Sequence, residues 1–266
     1  MTVLLDARQR AMLAEMGIRW QEPLARPETG AAESPSRGMV QEPVVVPHAA
    51  SESSPVSPGA ASATGPAATG GLAPRPAAIE LMQWDELAQA VAECRACRLC
   101  AGRRNTVFGV GDLQADWLVV GEAPGENEDL QGEPFVGSAG KLLDNMLRAL
   151  GLSRQHKVYI ANVLKCRPPA NRNPEPQEVA QCEPFLRRQV QLLQPRIILA
   201  MGRFAVQSLL GSNEPIGKLR GRIHSYREVP VVVTYHPAYL LRNPADKARA
   251  WDDLCLALDW MGRQPG

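Results

Sequence analysis

The chain has 266 residues, of which 21% are charged, and its formal net charge is +1 at neutral pH. This balance gives no electrostatic indication of a nucleic-acid or membrane-surface partner. No stretch approaches the roughly 20 consecutive apolar residues that cross a bilayer, so we expect no membrane partner. Six cysteines without a secretory signal favour a reducing, cytoplasmic location, where grouped cysteines bind metal more often than they form disulfides.

The first 78 residues differ in composition from the rest of the chain. Residues 1–20 have the apolar spacing of a short amphipathic helix, which predicts a peptide that recruits a protein partner. The alternatives are a helix that packs on the domain and an unfolded segment. Residues 21–78 contain ten of the 23 prolines and no aromatic residue, which predicts a disordered linker. One ordered domain is expected over residues 79–266, in a monomeric protein.

Strands and helices alternate along this domain. Four apolar runs predict buried strands, and the segments after them have helical spacing. The predicted strands are 117–121, 158–163, 196–201 and 231–235, and the predicted helices are 139–150, 176–193, 204–210 and 245–258. This alternation predicts an α/β fold with three layers, α/β/α, and a mostly parallel central sheet of about four strands. In such folds ligands bind at the carboxyl ends of the strands.

Four of the cysteines fall into two pairs. Cys94 and Cys97 form a C-x2-C pair, and Cys166 and Cys182 are separated by fifteen residues. Four thiolates make a complete ligand set for one metal centre. Cys100 extends the first pair to C-x2-C-x2-C, so spacing leaves it open as an alternative ligand. We predict that the centre is structural and holds the segment 166–182.

Two loops carry the first candidate groups of the site. The segment GEAPGENED at 121–129 follows the first strand, and its carboxylates, Glu122 and Glu128 among them, offer a base or an electrostatic stabiliser. The alternative interpretation is a solvated acidic turn. In GEPFVG at 132–137, the Phe135 ring is available to stack on a planar ligand, unless it only anchors the loop in the core.

Further candidates follow the later strands. Asn162 ends the second strand, and its amide both donates and accepts, which suits a pyrimidine edge as well as a strand-end cap. His236 leaves the last strand into a proline turn, a position that favours a functional role. Tyr239, Leu240 and Leu241 are predicted to form an apolar wedge of the kind that fills a base stack. Contacts with DNA phosphates are predicted for Lys165, Arg167, Arg172, Arg220 and Arg242.

These motifs and the cysteines together resemble the uracil-DNA glycosylase superfamily, specifically its iron–sulfur family 4 of bacterial type with an N-terminal extension. The motifs are GEAPGENED (121–129), GEPFVG (132–137), NVLKCRPPANRNP (162–174) and HPAYLLR (236–242). The resemblance covers essentially all of 79–260. It implies a monofunctional enzyme that hydrolyses the N-glycosidic bond of uracil in single- or double-stranded DNA and leaves an abasic site.

The resemblance also implies roles for individual residues. Those implied to act on the glycosidic bond or on the leaving group are Glu128, Asn171 and His236. Those implied to bind the flipped base, by stacking, edge recognition or lining the pocket, are Glu122, Ala123, Phe135 and Asn162. Those implied to ligate a 4Fe–4S cluster are Cys94, Cys97, Cys166 and Cys182.

Two other classes of function compete with this interpretation. The first is a nucleic-acid-binding iron–sulfur module on the same scaffold that does not turn over a substrate. The second is a redox or zinc protein, which the cysteine pairs alone also allow.

Overall fold

The computed structural model describes residues 75–263. The predicted helix at 1–20 lies outside the described residues, as does all but the last part of the predicted linker at 21–78. Both remain predictions. The first described helix, α1 (Arg75–Leu81), spans position 79, where the domain was expected to begin.

Within residues 75–263, six strands form one sheet in the order β1–β3–β2–β4–β6–β5. In chain order they are β1 (Val110–Gly111), β2 (Trp117–Gly121), β3 (Val158–Asn162), β4 (Ile197–Met201), β5 (Ile223–Tyr226) and β6 (Val229–Thr234). The four inner strands pair in parallel, and β1 and β5 pair antiparallel at the two edges. The mostly parallel α/β fold is therefore confirmed, and the expected count of about four strands is corrected to six.

Helices cover both faces of the sheet. After α1 they are α2 (Trp84–Ala92), α3 (Glu126–Gln131), α4 (Ser138–Ala149), α5 (Pro176–Leu193), α6 (Arg203–Leu210), α7 (Ile216–Leu219), α8 (Pro237–Arg242) and α9 (Lys247–Arg263). Short 3-10 turns occupy Arg98–Ala101, Pro169–Asn171 and Pro244–Asp246. Within the described part of the chain, no helix has the length and apolar character needed to cross a membrane.

Alternation along the strands builds the two cores of the three layers. In β2, Trp117 and Val119 face the core formed with α4 and α9, whereas Leu118 and Val120 face the core formed with α5 and α6. Successive side chains of a strand point to opposite faces, so a strand buried on both sides is apolar throughout. A third cluster packs α1 and α2 against Phe185 of α5.

The differences from the predicted elements have physical causes. β1 has only two residues, and β5 reads Ile-His-Ser-Tyr, so neither has the continuous apolar run of a buried strand. The acidic segment 121–129, for which a solvated turn was the alternative interpretation, forms α3 in its second half. At the start of that helix, the Glu128 carboxylate accepts a hydrogen bond from the backbone N–H of the N-cap residue, Gly125. The last predicted helix, 245–258, is displaced to Lys247–Arg263, and α8 precedes it.

The chain order of the inner strands places a crevice between β2 and β4. The connection after β2 leads to β3 on one side, whereas the connection after β4 leads towards β6 on the other side. Adjacent strands whose connections diverge in this way leave an open crevice at their carboxyl ends, which is the usual ligand site of parallel α/β sheets.

Burial on both faces predicts a strong stability difference between two leucines. Leu118 in β2 is fully buried, whereas Leu113 is 53% exposed. Replacing Leu118 by Ala should lower the free energy of unfolding by about 2 to 5 kcal/mol because it leaves a cavity. Replacing Leu113 by Ala should change it by about 0.5 kcal/mol at most. Urea unfolding followed by circular dichroism measures both, and equal losses would contradict the assigned core.

Candidate active site

A cavity of about 820 Å³ opens at the carboxyl ends of the inner strands. Each of these strands contributes a lining residue at or just after its end: Glu122 after β2, Asn162 at the end of β3, Gly202 after β4 and His236 after β6. The loop before α4 adds Phe135, and the 3-10 turn after β3 adds Asn171. The predicted catalytic and base-binding residues therefore line one cavity, at the carboxyl ends of the strands. We call the tendency of parallel sheets to bind ligands there the strand-end rule.

Phe135, Asn162 and His236 converge at the floor of this cavity. The ring centroids of Phe135 and His236 lie 5.4 Å apart, with an interplanar angle of 28°. Phe135 and Asn162 are both buried. Gly121 allows this approach, because a Cβ atom there would overlap both the Asn162 amide and the Phe135 ring. The result is a flat aromatic wall beside a buried amide.

The Asn162 side chain is 2% exposed, and its Oδ1 atom has no hydrogen-bond partner among the described residues. A buried acceptor without a partner is costly, and it is uncommon in folded proteins. Asn162 also lines the cavity, so a ligand with an N–H group can satisfy this atom. This geometry favours ligand recognition over the alternative of a satisfied strand-end cap.

His236 is held as a neutral imidazole of one tautomer. Its Nδ1 atom accepts a hydrogen bond of 3.2 Å from the backbone N–H of Ala238. Nδ1 is therefore unprotonated, which leaves the proton on Nε2. Burial, with a smaller effect from the Arg242 cation, lowers the pKa of His236 to about 4. Near neutral pH the ring is therefore a hydrogen-bond donor through Nε2 without carrying a charge.

Two carboxylates line the cavity in different environments. Burial raises the pKa of Glu122 to about 6, against the opposing effect of the nearby Arg203 cation. Glu128 accepts hydrogen bonds from three backbone N–H groups: those of Gly125 at 3.1 Å, Val136 at 2.9 Å and Gly137 at 3.1 Å. Glu128 thus fixes two loops against each other while its carboxylate lines the cavity.

Asn171 and the arginines near it form one rim of the cavity. Asn171 Oδ1 accepts a hydrogen bond of 2.8 Å from Arg167 Nε. Arg172 makes two hydrogen bonds, of 2.6 and 2.9 Å, with the buried Glu178 carboxylate. These bonds, with burial opposing them, lower the pKa of Glu178 to about 2. Glu178 thereby fixes the position of Arg172 beside the cavity.

Three of the predicted nucleic-acid contacts are wrong. Lys165 is 1% exposed, and its ammonium donates to Gln189 Oε1 at 2.6 Å and to Asn162 O at 2.9 Å. Leu240 is fully buried in the core against the sheet, so it is no wedge. The side chain of Arg220 is 17% exposed and bonds Asp253 Oδ2 at 3.0 Å, so it is unavailable for a phosphate.

The other predicted contact residues do surround the cavity. Tyr239 and Arg242 belong to α8 and line it, as does Arg172. Tyr239 stacks on Tyr235, with ring centroids 5.2 Å apart, and its hydroxyl donates to Asp246 Oδ2 at 2.7 Å. Arg167 lies behind Asn171, with an Nη2 atom 3.7 Å from Glu126 Oε2.

Sequence reasoning missed two residues that line the cavity. Arg203 and Phe204 line the cavity directly after β4, with the Arg203 guanidinium 4.6 Å from the Phe204 ring centroid. The strand-end rule that selected the other residues, applied to β4, would have found them. Of the two leucines predicted for the apolar wedge, Leu241 is 41% exposed, whereas Leu240 is buried. Only the orientation of α8 distinguishes these two leucines.

Five cysteines line a second, small cavity between α2, α5 and the turn after β3. They are Cys94, Cys97, Cys100, Cys166 and Cys182. Arg103 Nη1 lies 3.1 Å from Cys166 Sγ, and the Lys165 backbone N–H donates to Cys182 Sγ at 3.3 Å. Across residues 75–263, no three His, Cys, Asp or Glu side chains meet closely enough to hold a single metal ion.

The protonation state of His236 is directly measurable. Because its folded-state pKa is about 4, we expect the ring to stay neutral as the pH falls through about 6.5, the ordinary histidine value. In denaturant the same ring should titrate near that value, so acidification across this interval should favour the unfolded chain. Nuclear magnetic resonance of the ring carbons follows both titrations. Protonation of folded His236 near the ordinary value would contradict the described environment.

Comparison with known proteins shows which family the chain belongs to. The profile of the family described as "UDG: Uracil DNA glycosylase superfamily" matches residues 108–255. The "Type-4 uracil-DNA glycosylase" of Archaeoglobus fulgidus is 44% identical over 60% of this chain and 84% of its own. The protein of that name from Sulfurisphaera tokodaii is 46% identical over 60% of this chain and 76% of its own length. The one from Thermotoga maritima is 44% identical over 61% of this chain and 85% of its own length. These matches confirm the resemblance: the chain belongs to the uracil-DNA glycosylase superfamily, and within it to type 4.

Proposed function

We propose that this protein removes uracil from DNA by hydrolysing the N-glycosidic bond, which releases free uracil and leaves an abasic site. One observation carries this proposal: the buried, unpaired Asn162 amide oxygen lies beside the Phe135 and His236 rings in a cavity at the strand ends. The comparisons support it because the relatives reported above are type-4 uracil-DNA glycosylases.

Recognition of uracil follows from the donors and acceptors of the Asn162 amide. Uracil carries an N–H group at N3 and a carbonyl oxygen at C4, which match an amide oxygen and an amide NH₂ group. Cytosine has a bare ring nitrogen and an amino group at these positions, so both contacts become repulsive. Phe135 offers a stacking face for the same ring. The base must leave the helical stack to reach this cavity.

Bond cleavage leaves negative charge on the departing uracil and positive charge on the sugar. The neutral His236 ring donates a hydrogen bond through Nε2 to the uracil carbonyl on which negative charge grows. Because the ring donates in its neutral form, it does not first have to be protonated by solvent. Glu128, whose carboxylate is oriented by three backbone amides, stabilises the cationic sugar. Asn171 faces the same cavity and assists attack at the sugar C1′. Glu122 and Ala123 complete the lining.

DNA binding is assigned to the rim of this cavity. Of the predicted cations, Arg172 and Arg242 line the cavity, as does the aromatic residue Tyr239. Arg167 lies behind Asn171, to which it donates a hydrogen bond. Of the two leucines predicted for the apolar wedge, only the exposed Leu241 remains a candidate to fill the gap left by the flipped base. The modest net charge of +1 is compatible with this, since only a local rim of positive charge meets the phosphates.

We propose further that Cys94, Cys97, Cys166 and Cys182 ligate a 4Fe–4S cluster, which serves as a structural crosslink when bound. The donor set fits, because all four thiols line one cavity and N–H groups reach two of the sulfurs. Burial raises the pKa of Cys182 to about 12 and also that of Cys166. Burial therefore makes the thiolate form of these cysteines energetically costly, and the positive charge of bound iron offsets that cost.

No described contact tests the remaining expectations. Residues 1–20 are proposed to bind a protein partner, and the chain is proposed to act as a monomer in the cytoplasm. Residues 79–266 are proposed as the catalytic domain. Deletion of residues 1–78 is therefore expected to leave uracil excision unchanged.

Uracil excision tests the activity. The wild-type protein should convert a uracil-containing oligonucleotide to an alkali-labile product, and Asn162→Ala should lower kcat by about 100- to 1,000-fold because one contact to the developing charge is lost. Asn145→Ala is the matched control, because Asn145 lies on α4 outside the cavity lining and should leave the rate unchanged. Absence of abasic product from the wild type would sink the proposal. DNA binding without turnover would instead support the nucleic-acid-binding alternative.

Cysteine substitution tests the cluster. Cys182→Ala should lose iron, acid-labile sulfide and visible absorbance, because it removes a proposed ligand. Cys100→Ala tests the alternative ligand and should retain all three. Cys255→Ala is the matched control, because Cys255 lies on α9 outside the cysteine cavity. Stoichiometric zinc in the wild type, or an intact cluster in Cys182→Ala, would contradict the assignment.

A further inference from the structure

The loop that carries Phe135 has an unusual backbone conformation. Phe135 has a φ angle of +56°, in the left-handed region that a residue with a side chain occupies only at a cost. The ring is nevertheless buried and stacked beside His236. Surrounding groups must therefore hold this conformation, since the isolated loop would not favour it.

Arg154 supplies the contacts on one side of this loop. Its Nη1 atom donates to Pro134 O at 2.8 Å, and its Nη2 atom donates to Phe135 O. Consecutive carbonyls of an extended strand point in opposite directions, so one guanidinium reaches both only where the backbone turns. The planar fork of Arg154 therefore fits the left-handed conformation of Phe135 and would lose one bond if the loop became extended.

Arg154 is itself held in place. Its Nε atom donates to Asp144 Oδ1 at 2.5 Å, and its side chain is 15% exposed. It lies in a turn closed by a bridge between Ser153 and His156. Asp144 belongs to α4, the helix that follows the Phe135 loop. Its contact with Arg154 therefore ties the turn after α4 to that helix.

Two other groups complete the support of this loop. On the amide side, Glu128 Oε1 accepts from the N–H groups of Val136 and Gly137. On the helix side, the Phe135 carbonyl packs so closely on Gly140 that a Cβ atom there would overlap it. The carbonyls are thus bound by a cation and the amides by an anion, and Phe135 is fixed between them.

We infer that Arg154, oriented by Asp144, is a positioning residue that holds the Phe135 ring in place to stack on the flipped base. This inference deepens the proposed function and rests on it. Arg154 does not line the cavity and lies 19 residues from Phe135 in the sequence. It acts through two backbone carbonyls, and nothing in its own side chain touches the substrate.

A double-mutant cycle tests this role. Arg154→Met should lower kcat/KM for uracil excision by about 10- to 100-fold, because small displacements of a positioned group are costly. It should also weaken inhibition by free uracil. In a Phe135→Ala background, the same substitution should change the rate by about threefold at most, because the ring it positions is absent. Equal fold-losses in both backgrounds would show a general structural role and overturn the inference, as would an unchanged rate in Arg154→Met.

Two further variants complete the experiment. Arg148→Met removes a neighbouring α4 arginine that bonds Asn145, and its excision rate should match that of the wild type. If Arg154→Met does not fold, Arg154→Lys decides, because it keeps the charge but not the two-pronged contact. Reduced excision at an unchanged melting temperature supports the inference, and wild-type excision contradicts it. An inactive wild-type protein contradicts the proposed function, whereas an active wild type with unaffected Arg154 variants contradicts only the role of Arg154.

Discussion

Parallel pairing of β3, β2, β4 and β6 is the constraint on which the site depends. It aligns Gly121 with Asn162 and Met201 with Thr234, so residues from distant parts of the chain meet at one edge of the sheet. A slip of one residue in β3 would turn Asn162 to the opposite face. The apolar packing that fixes register on both faces of the sheet therefore also fixes the geometry of base recognition.

The buried ammonium of Lys165 connects this edge to the cysteine cavity. It donates to the carbonyl oxygen of Asn162, the proposed base reader, and to Gln189 of α5. Its own backbone N–H donates to Cys182 Sγ. A buried cation is stable only when such partners satisfy it, and burial still lowers the pKa of Lys165 to about 8. The proposed cluster and the base pocket thus share one polar residue in the core.

Sequence reasoning located those pocket residues that have a chemically suitable side chain and also lie at the end of a strand. Asn162 and His236 were identifiable because parallel sheets bind ligands there. Lys165 and Leu240 were wrongly predicted to contact DNA, because both are buried. Whether a residue in a functional motif is buried depends on tertiary packing, which the local sequence pattern does not show. Arg154 left no signal, since the contacts through which it holds the Phe135 loop are to backbone carbonyls. The edge strands were missed because pairing with a formed sheet, and not their own composition, defines them.

The most direct test of the central claim is a crystal structure of the protein with free uracil bound. We expect the uracil ring to lie over Phe135, its N3–H group to donate to Asn162 Oδ1, and a carbonyl oxygen to accept from His236 Nε2. This placement would satisfy the one buried acceptor of the cavity that has no partner among the described residues. Uracil bound away from Asn162, or an Asn162 amide paired within the protein, would contradict the account.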